Sequence, residues 1–226
     1  FLIGRHSDGS FDLAGFDPLV WASYYAEGTA HHYTFAVPHD AKGLAAIMGG
    51  DAAMVERLEA YFETSKAFLE SAQYTPLEPV PYYWQSNEPS LHAAYLFTEV
   101  GAPALTQRWV AWVLDALYDD RAAGKAGNDD GGTLAAWYVW SALGLYPVAG
   151  TDRYVLGAPR FPLAEIDVGG QVLRIVGDGA ERGDRYVAAV ELDGVALTTP
   201  TLTHAQLRAA RELRFTMSAT PTSWGR

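Results

Sequence analysis

The sequence contains no cysteine, so a disulfide framework, a thiolate metal site and a cysteine nucleophile are all excluded. Positive charge is scarce. Sixteen Lys and Arg stand against 27 Asp and Glu, a formal charge of −11, and no run of basic residues could track a phosphate backbone. Nucleic acid is therefore not an expected partner. No apolar stretch approaches the ~18 residues that a spanning helix needs, so no membrane partner is expected. The opening FLIGRHSDGSFD has neither a basic n-region nor a small-residue cleavage site, and the reading is of a soluble chain that begins after any signal peptide. GxSxG, Walker A, GxGxxG after a strand and HExxH are all missing, which removes serine hydrolase, NTPase and dinucleotide chemistry and leaves a zinc hydrolase weakly supported.

A hydrophobic content of 49%, with 13% aromatics, is enough to fill a core and excludes a disordered or collagen-like chain. The length of 226 residues allows one large domain or one and a half average ones. Surplus carboxylates remain for acid/base work or for a hard cation. The fold class expected is α+β, divided into a helical part over 1–150 and an antiparallel β part over 151–226.

The helical part rests on four segments. In DPLVWASYYAEG, Asp17 and Pro18 open a predicted short helix and Gly28 closes it. DAAMVERLEAYFETSKAFLE places Val55, Leu58, Phe62 and Leu69 near one face, and APALTQRWVAWVLDALYDDR does the same with Leu105, Trp109, Trp112, Val113, Ala116 and Leu117. A last helix carries Leu134, Trp137, Tyr138, Ser141, Ala142 and Leu145, bracketed by Gly144 and Pro147. Beyond 150 the texture changes to short β-branched runs, with tight turns expected at Val168-Gly169-Gly170-Gln171 and Leu192-Asp193-Gly194-Val195. Each part looks incomplete alone, as in a C-terminal piece of a larger protein.

Three loop segments concentrate polar residues where helices start or stop: 25–40, 82–95 and 126–133. In an α/α architecture such loops share one mouth, so the clusters are expected to meet there. Glu27 is flanked by Tyr24 and Tyr25, and an aromatic setting desolvates a carboxyl and favours the protonated form that a general acid needs. A solvated glutamate at a helix end is the plain alternative. Asp129 and Asp130 precede a helix beginning Gly-Gly-Thr-Leu, where an aspartate caps free N–H groups. One cap needs one carboxylate, however, and Asn128, two aspartates and two glycines exceed that need. Asn87, Glu88 and Pro89 form a turn with the oxygen donors calcium prefers, or simply a helix start. His31, His32 and His39 read as hydrogen-bonded structural residues. Carboxylates, amides and aromatics together are the vocabulary of a carbohydrate site.

The blocks YYAEGTAHHYTFAVPHDAKGL, SNEPSLHAAYLF, GNDDGGTLAAWYVWSALGLYPV and THAQLRAARELRFTMSATPTSWG resemble, in order, the C-terminal part of glycoside hydrolase family 92, the calcium-dependent exo-α-mannosidases. The resemblance implies the C-terminal portion of an (α/α)6 barrel followed by a small antiparallel β region, with an N-terminal β-sandwich and the first barrel helices outside this chain. It implies hydrolysis of terminal α-mannosidic bonds, α-1,2 favoured, with inversion, on an α-mannoside oligosaccharide, N-glycan or mannan. It also implies a bacterial protein that is secreted, periplasmic or at the cell surface.

Carried over by motif, the resemblance makes Glu27 the general acid and Asp130 the general base, oriented by Asn128, with Asp129 on a variable position between them. Glutamate at 27, where members acting on mannose phosphodiesters carry glutamine, points to an ordinary mannosidase. His92, Trp84, Thr29 and Gly131 are the implied substrate contacts, and Asn87, Glu88 and Asp130 the implied Ca²⁺ ligands or near neighbours. Thr29 replaces a common Asn, Ser86 a common Gly, and Ala210 a usual Gly that would shape a local turn. Inversion needs room for a water, hence carboxyls roughly 6.5 to 9.5 Å apart. The rival expectation is a non-catalytic carbohydrate-binding or structural fragment.

Overall fold

The computed structural model describes residues 1–21, 25–71 and 79–226, and the chain forms two compact units, Phe1–Ala93 and Ala94–Arg226. The change from helix to strand, expected near 150, falls within the second unit, between Ala142 and Leu145.

The first unit carries α1 (Ala30–Thr34), α2 (Ala41–Met48), α3 (Asp51–Leu69) and α4 (Glu88–Leu91). Local chemistry sets these ends. The Asp40 carboxylate accepts from Gly43 N at 2.8 Å to start α2, and Gly49, at φ 104°, ends it in the left-handed region. Helix α3 buries Met54, Leu58, Tyr61, Phe62 and Ser65. Leu58 and Phe62 are thus buried as expected, whereas Val55 and Leu69 sit half-buried at the margin of the stripe. The helix predicted from Asp17 to Gly28 is not seen among the described residues of that stretch, and Tyr24 lies outside them. At its start the Asp17 side chain accepts from Leu19 N at 2.9 Å and its carbonyl from Val20 N at 3.2 Å. Asp-Pro here initiates a turn, since the carboxylate satisfies a nearby amide without a helix following.

The second unit opens with α5 (Ala93–Glu99, shared at its first residue), α6 (Pro103–Ala116) and α7 (Thr133–Ala142). Helix α6 buries Thr106, Gln107, Trp109, Val110, Val113 and Leu114, whereas Ala116 is exposed. Helix α7 buries Leu134, Trp137, Ser141 and Ala142 of its predicted face, whereas Tyr138 is half-buried and Leu145, expected on the helix, falls on the strand that follows Gly144. The helix stops at Gly144, whose φ of 76° and contact with Pro159 N, 2.8 Å from where a Cβ would lie, leave room for glycine alone.

The strands follow as β1 (Leu145–Pro147), β2 (Arg153–Leu156), β3 (Leu163–Asp167), β4 (Val172–Asp178), β5 (Tyr186–Leu192), β6 (Val195–Ala196), β7 (Thr201–Thr203) and, after the short helix α8 (His204–Ala209), β8 (Glu212–Ser218). They form a three-stranded sheet ordered β1-β2-β7 and a five-stranded sheet ordered β3-β4-β8-β5-β6. Both predicted turns are present: Val168 N donates to Gln171 O at 2.8 Å between β3 and β4, and Leu192 pairs Val195 across Asp193 and Gly194, at φ 50° and 77°.

One expectation is corrected, because β4 and β8 run parallel, with Arg174 opposite Glu212. A parallel pair needs a long crossover, here everything from β5 to α8, and β-branched texture carries no information about strand direction. Leu173, Ile175, Val187, Val190, Leu213 and Phe215 from this sheet share one core with Leu145, Leu156 and Leu202 of the smaller one. Ala210, at φ −74° and 2% exposed, packs into that core, so the position that resemblance made a glycine turn needs no left-handed residue here.

Candidate active site

The loops 25–40 and 82–95 meet within the first unit. Glu27 is exposed and sits at φ 50°, a conformation unfavourable for a side chain with a Cβ. Asn87 holds it there. The Asn87 Nδ2 donates to the Glu27 carbonyl across sixty residues, although Asn87 occupies the N-cap position of α4 and its side chain makes no cap bond. Asn87 is 4% exposed and Glu88, the next residue, is exposed. The desolvated setting expected for the Glu27 carboxyl is not supplied by its described aromatic neighbour. Tyr25 is buried, stacking on Tyr33 at 5.3 Å and 23°, and Tyr33 Oη donates to Ala26 O at 2.5 Å.

Histidines brace the same turn. His32 is fully buried, accepts at Nδ1 from Thr29 N at 3.1 Å and donates from Nε2 to Val80 O at 2.8 Å, which fixes the Nε2–H tautomer. Burial lowers its pKa against the pull of the backbone carbonyls. His31, edge-on to Tyr82 at 4.6 Å, is pushed down to about 4, by burial first and by His32 and Arg57 next. Both rings are neutral near pH 7; His32 is hydrogen-bonded as expected, whereas among the described residues His31 makes ring contacts alone and His39 is exposed.

Thr29 is buried with Oγ1 donating to Pro81 O at 2.9 Å, so its hydroxyl serves the loop. His92 is buried too, Nε2 donating to Phe35 O at 2.5 Å, and burial again lowers its pKa. One ring nitrogen of His92 is thereby committed to the backbone. Trp84 is half-buried and lies 5.9 Å from both His32 and Trp21.

The third loop belongs to the second unit. Its two aspartates do different things. Asp129 Oδ1 accepts from Ala135 N at 2.8 Å, its carbonyl accepts from Gly132 N at 3.0 Å, and Oδ2 pairs with Lys125 at 2.5 Å. The Lys125 hydrogen bond, with that of Ala135, pulls its pKa below the usual carboxylate range. Asp129 is the cap. Asp130 is exposed at φ 42°, its carbonyl accepting from Thr133 Oγ1 at 2.7 Å, and no described residue binds its carboxylate. Gly131 and Gly132 continue in the left-handed region at φ 70° and 95°, with open space where a Cβ would stand. Asn128 is exposed, and no hydrogen bond joins it to Asp130 among the described residues, so the expected steadying of Asp130 comes instead from the Thr133 bond and the glycine backbone.

The glycosyl hydrolase family 92 catalytic domain matches residues 1–219. The chain belongs to this family. An α-mannosidase of family 92 from Bacteroides thetaiotaomicron superposes with a TM-score of 0.83 at 29% identity, covering 98% of this chain and 28% of that one. An inverting family 92 mannosidase of the same organism gives 0.80 at 30%, covering 96% and 30%. A protein of Arthroderma benhamiae described as an uncharacterized secreted glycosidase is 26% identical over 195 residues, 84% of this chain and 23% of its own length. The family 92 chain thus spans roughly a quarter to a third of the relatives it matches.

Among the described residues of the family 92 chain, no three His, Asp or Glu side chains converge as a metal site. The donor chemistry of the Asn87 turn still fits a hard cation: a buried amide whose nitrogen is engaged by Glu27 leaves Oδ1 as its acceptor, and Glu88 adds a carboxylate. Calcium takes ~6–8 oxygens, so these two are a partial set. What sequence reasoning missed is that Asn87 anchors Glu27. The NEP block marks Asn87 as an N-cap, and nothing local in it signals a partner sixty residues away.

Proposed function

We propose that this family 92 chain acts in the hydrolysis of terminal α-mannosidic bonds, α-1,2 linkages favoured, with inversion at the anomeric carbon. The reading assigns residues 1–150 to the last helices of an (α/α)6 barrel and 151–226 to the β segment that closes it. The N-terminal β-sandwich and remaining barrel of the family fold would supply the rest of the pocket, and the substrate would be an α-mannoside oligosaccharide, N-glycan or mannan. A secreted, periplasmic or cell-surface bacterial setting suits such a substrate. The relatives bear on this: the structure of one is described as that of an inverting mannosidase and that of another as an α-mannosidase in complex with mannoimidazole.

The observation that carries the proposal is the Glu27 turn. A glutamate held at φ 50° by a buried side chain sixty residues away, with its carboxyl left exposed, is a strained residue maintained by its surroundings. Such strain collects at functional sites. Glu27, protonated, donates to the glycosidic oxygen as the bond breaks, while Asp130, whose carboxylate no described residue binds, takes a proton from the water attacking the anomeric carbon from the opposite face. Asn128 lies beside the base. His92, Trp84, Thr29 and Gly131 are the proposed sugar contacts, the first and third through the backbone they fix. Calcium is the proposed cofactor, held by Asn87, Glu88 and Asp130, and supplies Lewis-acid grip on sugar hydroxyls when bound. The test is mannose release from an α-mannobiose panel, with and without EDTA, comparing this chain with a protein that includes the rest of the family fold. Product with the β-anomer formed first supports inversion, and α-anomer first overturns it.

A second reading, a carbohydrate-binding or structural fragment without turnover, draws on the partial coverage of every relative described above. Sugar binding by both proteins with mannose release by neither would establish it.

A further inference from the structure

We infer that Trp21 is a specificity-determining residue, stacking on the ring of the leaving-group sugar. The inference rests on the proposed mannosidase reading, and Trp21 carries none of the roles given so far. Trp21 is 44% exposed, a large apolar side chain left open to solvent. Its ring is nonetheless fixed. It meets Trp84 at 5.9 Å and 66° and His32 at 6.4 Å and 82°, so the two indoles form a corner with His32 at its base. Tilted and edge-on contacts of this kind favour one ring placement, and nearly half of the Trp21 surface stays outside them.

The corner is tied to both sides of the Glu27 turn. His32 Nδ1 accepts from Thr29 N two residues after Glu27, and Trp84 O accepts from Asn87 N at 3.1 Å, the residue whose amide holds the Glu27 carbonyl. A general acid must face the glycosidic oxygen, which departs with the leaving group. Aromatic surface built onto the turn that carries the acid is accordingly assigned to the leaving-group side of the bond. A pyranose presents C–H groups on its faces, and solvent-exposed indole surface removes them from water without needing a hydrogen bond.

The experiment compares two substrates in a protein that carries the rest of the family fold: α-1,2-mannobiose, and α-mannosyl fluoride, whose leaving group has no ring and needs no general acid. Trp21→Ala should raise KM for mannobiose about tenfold, the size of one stacking contact, with kcat/KM for the fluoride within about twofold of the parent. Trp21→Phe should restore most of the mannobiose KM. Equal losses on both substrates, or no loss on either, overturn the inference, the first because it marks a purely structural role. If the parent hydrolyses neither substrate, the mannosidase reading itself fails. Tryptophan fluorescence on titration with methyl α-mannoside against mannobiose then decides the stacking separately: a response to mannobiose that Trp21→Ala abolishes supports it, and a response unchanged in the variant overturns it.

Discussion

Glu27 and Asp130 are both exposed carboxylic residues in left-handed backbone, at φ 50° and 42°, yet the two regions reach that state by different means. The Glu27 turn depends on distant residues: Asn87 on its carbonyl, and Val80 and Pro81 holding His32 and Thr29. The Asp130 loop is held locally, with Asp129 bonded to Lys125, Gly132 and Ala135 and the Asp130 carbonyl to Thr133. Long-range support makes the first turn's geometry contingent on the packing of its whole unit. The second would survive much looser packing, because glycines and a local cap already satisfy its backbone.

The largest expected effect removes the chemistry from either side. Glu27→Gln and Asp130→Asn should each lower mannobiose kcat by about 10²–10⁴-fold, the usual contribution of a positioned acid or base. They part on α-mannosyl fluoride: Glu27→Gln should keep most of that activity and Asp130→Asn should lose it. Loss of both, or retention of both, would mean that the roles are not divided as proposed.

Next comes the anchor. Asn87→Ala leaves the Glu27 turn without its distant bond, and the first unit should lose about 1–3 kcal/mol in urea unfolding, with a fall in kcat. By contrast, Asp129→Ala should change kcat far less than Asn87→Ala. Equal effects from the two variants would break the distinction between long-range and local support.

The two units should also differ in acid. His32 and His92, buried, and His31, half-buried, have lowered pKa values in the first unit, so the unfolded chain binds more protons below the ordinary value of 6.5. The stability they contribute is complete above 6.5 and falls as pH drops from there, for His31 down to about 4. In the second unit Asp129 has a lowered pKa, so its share is present above 3.8 and is lost only below that, as pH falls through the folded value. Amide exchange at pH 5, corrected for intrinsic rate, should show faster opening in residues 1–93 relative to pH 7 and little change in 94–226. Uniform acceleration would show that the histidines do not set the difference.

The smallest expected effect is that of Asp129→Ala on stability, a slight loss of helix α7 seen by thermal unfolding, since its carboxylate caps one amide and its ion pair is partly exposed.

The local features of the site were legible in the sequence. The surplus of acids at one helix start signalled a cap and a further carboxylate, with the family resemblance separating Asp129 from Asp130, and the tight turns at 168–171 and 192–195 follow from Gly-Gly and Asp-Gly. The helix predicted from Asp17 failed because Asp-Pro opens turns and helices alike. The β4–β8 pairing was hidden because strand direction is a property of the partner.

The sequence alone determined the chain's charge, its lack of thiol chemistry, the start of α2, the end of α7 and the four blocks that place it in family 92. Each of these depends on composition or on side chains acting on backbone a few residues away. Only the tertiary structure decided that Asn87 forgoes its own helix to hold Glu27, that His92 and Thr29 spend their polar atoms on distant carbonyls, and that Trp21 stands against Trp84. Those outcomes turn on which buried polar group reaches which partner once the loops have packed, and that choice has no signature in the spacing of residues along the chain.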